Sequence, residues 1–284
     1  MGRLRLFHRL RGDQRVKYCP PIRRVTRGKN HHYEDADGRR VPGVTTILNG
    51  GLPKPQLINW AGSATAQGAV DNWDDLAALP PAARLKALEG IRYEVTNKAK
   101  NRGTQVHLYA EALVQGIEVK GVPDELRPFV DSYVRFIDAW QLDPVLVEVV
   151  IVSYGHGYAG TLDLIADLTG PSGERERWLL DLKTGEKGIY PETALQLSAY
   201  RFAEFYLDAD GAEQPMPTVE HTGAIHITAD DAQLIPTVSE REQLTMFRIA
   251  QKIYEYEQDK DGLILPALRL PTASTARVIW DDNQ

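Results

Sequence analysis

The 284-residue sequence predicts an α/β fold, a central mixed β-sheet flanked by helices with a helical N-terminal region ahead of it. Three observations carry this expectation. Residues 55–141 read as a succession of helices. From residue 145 the pattern changes to three apolar strands, 145–153, 158–168 and 177–183, separated by short turns. A helix, a further strand and a final amphipathic helix then follow, the order of a layered sheet.

Taken in order, residues 1–30 form a basic arm. Residues 1–29 hold ten Lys/Arg and one Asp, against 23 basic and 38 acidic residues in the rest of the chain. Such an arm suits contact with phosphates. Residues 31–142 form a hairpin and a helical region. In HHYEDADGRRVPGVTTIL, Tyr33 and the 44–48 run have strand character, and Asp37-Gly38 supplies a turn. Helices follow over 55–100, with breaks expected at Pro80-Pro81 and at Gly90. A stronger helix covers 101–114, with Val106, Ala110, Leu113 and Ile117 at helical spacing and Gly116 near its end; another covers 123–141. The core, residues 143–260, begins with the three strands, the second and third joined by Gly170-Pro171-Ser172-Gly173. A helix is expected over 191–207, with Pro191 and Glu192 suited to its first turn. A strand over 218–228 and a helix over 240–258 complete it, and residues 261–284 form a Pro-interrupted tail. These regions are expected to make one compact domain, without repeats or low-complexity tracts.

Composition narrows the class. The chain is 43% hydrophobic and 25% charged, as in soluble globular proteins, and has no apolar run of membrane-spanning length. Its N-terminus is basic but lacks the continuous apolar stretch of a secretory signal, so a cytoplasmic location is expected. Cys19 is the only cysteine, which excludes an internal disulfide, a cysteine zinc site and a four-cysteine iron–sulfur cluster within the chain. The net charge of −6 does not exclude a nucleic-acid substrate, because an acidic metal site itself carries negative charge.

Chemistry concentrates around Asp163, Asp181 and Lys183, in the segments GYAGTLDLIADL and WLLDLKTG. Strand side chains alternate faces, so Asp181 and Lys183 share one side while Leu180 and Leu182 point to the core. Asp163 shares a face with Thr161 and Ile165 on the preceding strand. Pairing of the two strands would bring Asp163 and Asp181 together, a costly arrangement unless a cation lies between them. Oxygen ligands with room for water favour Mg²⁺ or Mn²⁺. Such an ion polarises a phosphate and lowers the pKa of a bound water, while Lys183 orients that water, serves as base or offsets charge. Gln196 and Tyr200, four apart on the next helix, share a face toward the same site. His107, with Gly103 one turn before it and Glu111 one turn after it, is a weaker candidate. Glu148 stands inside the apolar run VLVEVVIV, where a lone carboxylate is costly unless paired or bound to metal. Asp167, Glu186 and Lys187 read as solvated charges.

This ordered set resembles the PD-(D/E)XK nuclease superfamily, in its RecB-type exonuclease branch. The matching elements are Gly103 and His107 in RGTQVH, Glu148, GTLD ending at Asp163, DLKTG from Asp181, and QLSAY from Gln196 to Tyr200. VPGVTTIL and NWA upstream also resemble phage-encoded exonucleases of this branch. The resemblance implies a mixed sheet flanked by helices, Mg²⁺ or Mn²⁺ as cofactor and DNA as substrate. It implies His107, Asp163, Asp181 and the backbone carbonyl of Leu182 as metal ligands, with Glu148 assisting. Lys183 would be the catalytic lysine, and Gln196 and Tyr200 would support the site or the DNA. Leu162 stands where the superfamily's Pro-Asp dipeptide has its proline. Relatives in CRISPR adaptation carry four cysteines for an iron–sulfur cluster, which this chain lacks. No Walker A sequence is present, so hydrolysis without a fused motor is expected, with a homo-oligomeric ring as in lambda-type exonucleases one possibility by analogy. Phage recombination or end processing, with a single-strand annealing protein as partner, is the corresponding setting. An endonuclease on the same site, or a non-catalytic DNA-binding module, are the alternatives.

Overall fold

The structure, a computed structural model, describes residues 18–28, 30–170, 173–185, 188–261, 263–264 and 267. Most of the basic arm, the centre of the 170–173 turn, Glu186, Lys187 and nearly all of the tail lie outside the described residues.

The chain opens with a three-stranded antiparallel sheet of β1 (Arg23–Arg27), β2 (Asn30–Glu34) and β3 (Arg40–Val41). The expected hairpin is present, with Tyr33 opposite Val41 and Glu34 opposite Arg40. Its turn is organised by the buried Asp35 carboxylate, which accepts the backbone N–H groups of Cys19, Asp37 and Arg39 at 2.8–3.1 Å. The 44–48 run is not a strand. It lies in helix α1 (Val44–Gly51), because Val44, Ile47, Leu48 and Gly51 fall on one buried helical stripe. The basic arm also contributes more structure than expected, since its end forms β1.

Helices α2 (Pro55–Asp71) and α3 (Trp73–Ala78) lead to α4 (Pro81–Val114). The break at Pro80-Pro81 is present. The break at Gly90 is not, and 34 residues run as one helix, about 50 Å long at 1.5 Å per residue. A single helical glycine costs only about 1 kcal/mol, which the surrounding helix absorbs. Gly116 takes a left-handed φ of 71° just past the end of α4. Helix α5 (Arg127–Trp140) follows and closes on Gln141 at φ 46°.

The central sheet has seven strands in the order β10-β9-β6-β5-β4-β7-β8. They are β4 (Asp143–Ser153), β5 (Tyr158–Thr169), β6 (Arg175–Lys183), β7 (Phe205–Leu207), β8 (Glu213–Pro215), β9 (His221–Ile227) and β10 (Ala232–Pro236). Only β6 and β9 pair in parallel, so the sheet is mixed as expected. Helix α6 (Glu192–Arg201) lies in the crossover between these two strands. It stops well short of residue 207, because the chain turns to place β7 against β4. Helix α7 (Arg241–Gln258) begins with a reciprocal cap between Glu240 and Gln243.

Two core clusters cover opposite faces of the sheet. Val44, Ile47, Leu197, Tyr200, Leu244 and Phe247 pack α1, α6 and α7 onto one face. Val106, Ala110, Tyr133 and Phe136 pack α4 and α5 onto Leu164, Leu180 and Leu182 on the other. Each fully buried large side chain contributes roughly 1.5–3 kcal/mol. Among the described residues no helix is long and apolar enough to cross a membrane.

Candidate metal centre

The site forms where β5 and β6 part. Their last paired residues are Leu164 and Leu180. Beyond that pair the Asp163 carboxylate takes over, accepting the Leu182 N–H at 2.7 Å. Asp163 also interrupts the alternation of β5, since Leu162 and Ile165 both join the same core cluster. Asp163 therefore does not share a simple face with Ile165. The cause lies across the ladder, where Glu148 adopts a left-handed φ of 49° between the pairs Val147–Leu164 and Val149–Leu162. The irregularity turns two acids on neighbouring strands toward one space.

His107 completes the group from α4. Its Nε2 lies 2.9 Å from the Leu182 carbonyl oxygen, an acceptor, so Nε2 carries the proton. Its Nδ1 faces Asp163 Oδ2 at 3.7 Å. Gly103, one turn earlier, lets α4 approach the end of β6, where an added Cβ would stand 3.2 Å from Thr184 Oγ1. Glu111, one turn after His107, accepts from Gln115 Nε2 at 3.5 Å and not from the imidazole. Ligand atoms of His107, Glu148 and Asp163 lie within 4.8 Å of one another.

Electrostatics reinforce the grouping. Burial, then the neighbouring Asp181 charge, raises the Asp163 pKa to about 6, against the pull of His107, the Leu182 N–H and Lys183. Burial, then Asp163, raises Glu148 to about 7, while Arg24 opposes and Glu111 adds to the rise. Two crowded carboxylates and an imidazole with a free face fit a divalent cation. The oxygen-rich donor set favours Mg²⁺ or Mn²⁺.

Asp181 stands beside this trio and not within it. Its Oδ1 accepts from Gln196 Nε2 at 2.7 Å, and its Oδ2 pairs with Lys183 Nζ at 2.5 Å. Lys183 Nζ also reaches Gln196 Oε1 at 3.5 Å. Gln196 Nε2 donates in addition to the Tyr200 hydroxyl at 3.3 Å. Burial disfavours the Lys183 ammonium, but the Asp181 carboxylate outweighs it and holds the lysine above its ordinary pKa. Burial, then Asp181, keeps Tyr200 firmly in the phenol form. Gly160 makes room for that ring, since an added Cβ would stand 2.6 Å from Tyr200 Cε1.

All seven candidate side chains, His107, Glu148, Asp163, Asp181, Lys183, Gln196 and Tyr200, line one cavity of about 250 Å³. Leu182 is tied to this set by its carbonyl oxygen, which accepts from His107 Nε2. Asp167 stays apart, paired with Arg177 at 2.8 Å. The cavity adds residues that the sequence did not single out. Arg24 Nη1 lies 3.9 Å from Glu148 Oε2. The Tyr33 hydroxyl and Thr161 Oγ1 are 2.8 Å apart. Thr161 was within reach of the alternation argument, two residues before Asp163. No spacing along the chain places residue 24 beside residue 148.

No protein-family model matches the chain, and no curated protein matches it.

Proposed function

We propose that this chain is a divalent-metal-dependent deoxyribonuclease acting as an exonuclease. One observation carries the reading: the trio His107, Glu148 and Asp163 and the linked set Asp181, Lys183 and Gln196 open onto the same cavity. A divalent ion, when bound by His107, Glu148 and Asp163, with Asp181 and the Leu182 carbonyl beside them, supplies Lewis-acid activation for phosphodiester hydrolysis. The protein's own groups do the rest. Lys183, held above its ordinary pKa by Asp181, offsets charge on the phosphate. Asp181 and Gln196 fix its position through contacts of 2.5 and 3.5 Å. Tyr200 supports the Gln196 amide.

The order of RGTQVH, GTLD, DLKTG and QLSAY supports assignment to the RecB-type branch of the PD-(D/E)XK superfamily, and with it DNA as substrate and attack at chain ends. A homo-oligomer, a single-strand annealing partner and phage recombination in a host cytoplasm belong to the same proposal. The test is digestion of end-labelled linear duplex with Mg²⁺ or Mn²⁺, by wild type, Lys183→Ala and Asp181→Ala. Wild type degrades the duplex, and both variants lose at least about 10³-fold in rate while keeping their circular dichroism. Undiminished cleavage by both variants would overturn the assignment.

A further inference from the structure

We infer that the outward face of α4 ahead of His107 is the track for the nucleic-acid strand leaving the site, an inference that rests on the nuclease reading. Because α4 runs unbroken through Gly90, residues at helical spacing from His107 fall on one line. Gly103 lies about one turn before His107, Lys100 about two, Thr96 about three and Tyr93 about four. The line is about 21 Å long from Tyr93 to His107. Lys100, Thr96 and Tyr93 are exposed, and Lys100 has no ion-pair partner among the described residues.

Chemistry along the line suits a polyanion carrying stackable bases. Lys100 offers a free cation for a phosphate, while the Thr96 hydroxyl between the two ends of the line donates to the Arg92 carbonyl at 2.8 Å. At the far end the Arg92 guanidinium lies 4.6 Å from the Tyr93 ring centroid and donates to its hydroxyl at 2.8 Å. That pair presents a cation and an aromatic face together, the combination on which single-stranded bases stack. Between residues 90 and 107 the only acid is Glu94, about three and a half turns from His107 and so on the reverse side. Glu89, five turns away, ends the acid-free run. Lys98 is a built-in control: it is exposed and equally unpaired among the described residues, but sits two and a half turns from His107, on the opposite side.

The test is anisotropy titration of a fluorescein-labelled duplex bearing a single-stranded tail, in EDTA so that nothing is cleaved. Lys100→Glu is expected to weaken binding about tenfold and to flatten the log K against log salt plot by about one. Tyr93→Ala is expected to weaken binding at least about fivefold. Lys98→Glu, with the same charge change on the far side, stays within about twofold of wild type. Hydrolysis of the p-nitrophenyl ester of thymidine 5′-monophosphate, which reaches only the cavity, is unchanged in all three. Equal weakening by Lys98→Glu and Lys100→Glu, or none by Lys100→Glu and Tyr93→Ala, overturns the track while the nuclease reading stands. A wild-type protein that neither binds nor cleaves DNA overturns both.

Discussion

Asp163 and Glu148 hold protons that carboxylates ordinarily lose well below neutrality. Their pKa values of about 6 and about 7 exceed the unfolded values near 4, so between roughly pH 4 and 7 the folded chain binds more protons than the unfolded one. The sign follows: without metal, their contribution to stability is full at low pH and is lost as pH rises through 6 and 7. A bound divalent cation must displace those protons, so its stabilisation grows over the same interval. Thermal unfolding in EDTA from pH 5 to 8 should show a falling Tm, and Mn²⁺ should raise Tm more at pH 8 than at pH 5. Glu148→Gln should flatten both trends; unchanged slopes in that variant would contradict the assignment. Gln196 and Tyr200 differ in predicted weight. Gln196 touches both Asp181 and Lys183, whereas among the described residues the Tyr200 hydroxyl has its hydrogen bond with the Gln196 amide alone, at 3.3 Å. Initial rates should therefore fall at least about 100-fold in Gln196→Ala and less than about tenfold in Tyr200→Phe.

At the scale of elements, the packing of α1 on α7 depends on a close approach that only glycine permits. Helix α1 lies so near α7 that a Cβ on Gly51 would stand 2.0 Å from the Ala250 carbonyl oxygen. That neighbour is backbone and cannot swing aside. Gly51→Ala should lower unfolding free energy by about 1–3 kcal/mol or more in urea titrations. Gly90, inside α4 and with open space around it, is the counterpart: Gly90→Ala should stabilise by about 0.5–1 kcal/mol. The long strands β4, β5, β6 and β9 were legible from their apolar, β-branched runs, and Asp181 and Lys183 from alternation along β6, whereas the short strands β7, β8 and β10 carried no such run. The helix at 44–51 was not, because a short run such as VTTIL reads equally as strand until α7 offers it a partner. The early end of α6 was hidden for a similar reason, since residues 205–207 become strand by pairing with β4.

For the whole molecule, the proposed reading has to account for how a chain of net charge −6 would engage a polyanion. Cations cluster locally, with Arg24 and Lys183 in the cavity wall and Arg92 and Lys100 along α4. Each such contact that neutralises a phosphate should add about 0.9 to the fall of log K with log salt, so binding should weaken as salt rises. The exonuclease reading makes a topological prediction as well. With Mg²⁺, linear duplex should be degraded while a covalently closed circle of the same sequence survives, as followed on agarose gels. Removal of metal by EDTA should stop degradation of the linear form, and loss of the circle would turn the assignment to an endonuclease.

Sequence by itself determined the fold class and the local chemistry: the four long strands of the central sheet, that Asp181 and Lys183 share a face, and that Gln196 and Tyr200 lie one helical turn apart. These follow from the periods of strand and helix, which act over a few residues. Only the tertiary structure decided which acids meet. It put Glu148 in a left-handed conformation opposite Asp163, brought His107 against the Leu182 carbonyl from 75 positions away, and left Asp181 to Lys183 and Gln196. Such contacts depend on strand register and on helices packed across the sheet. No local period encodes them, because their energy exists only once both partners are in place.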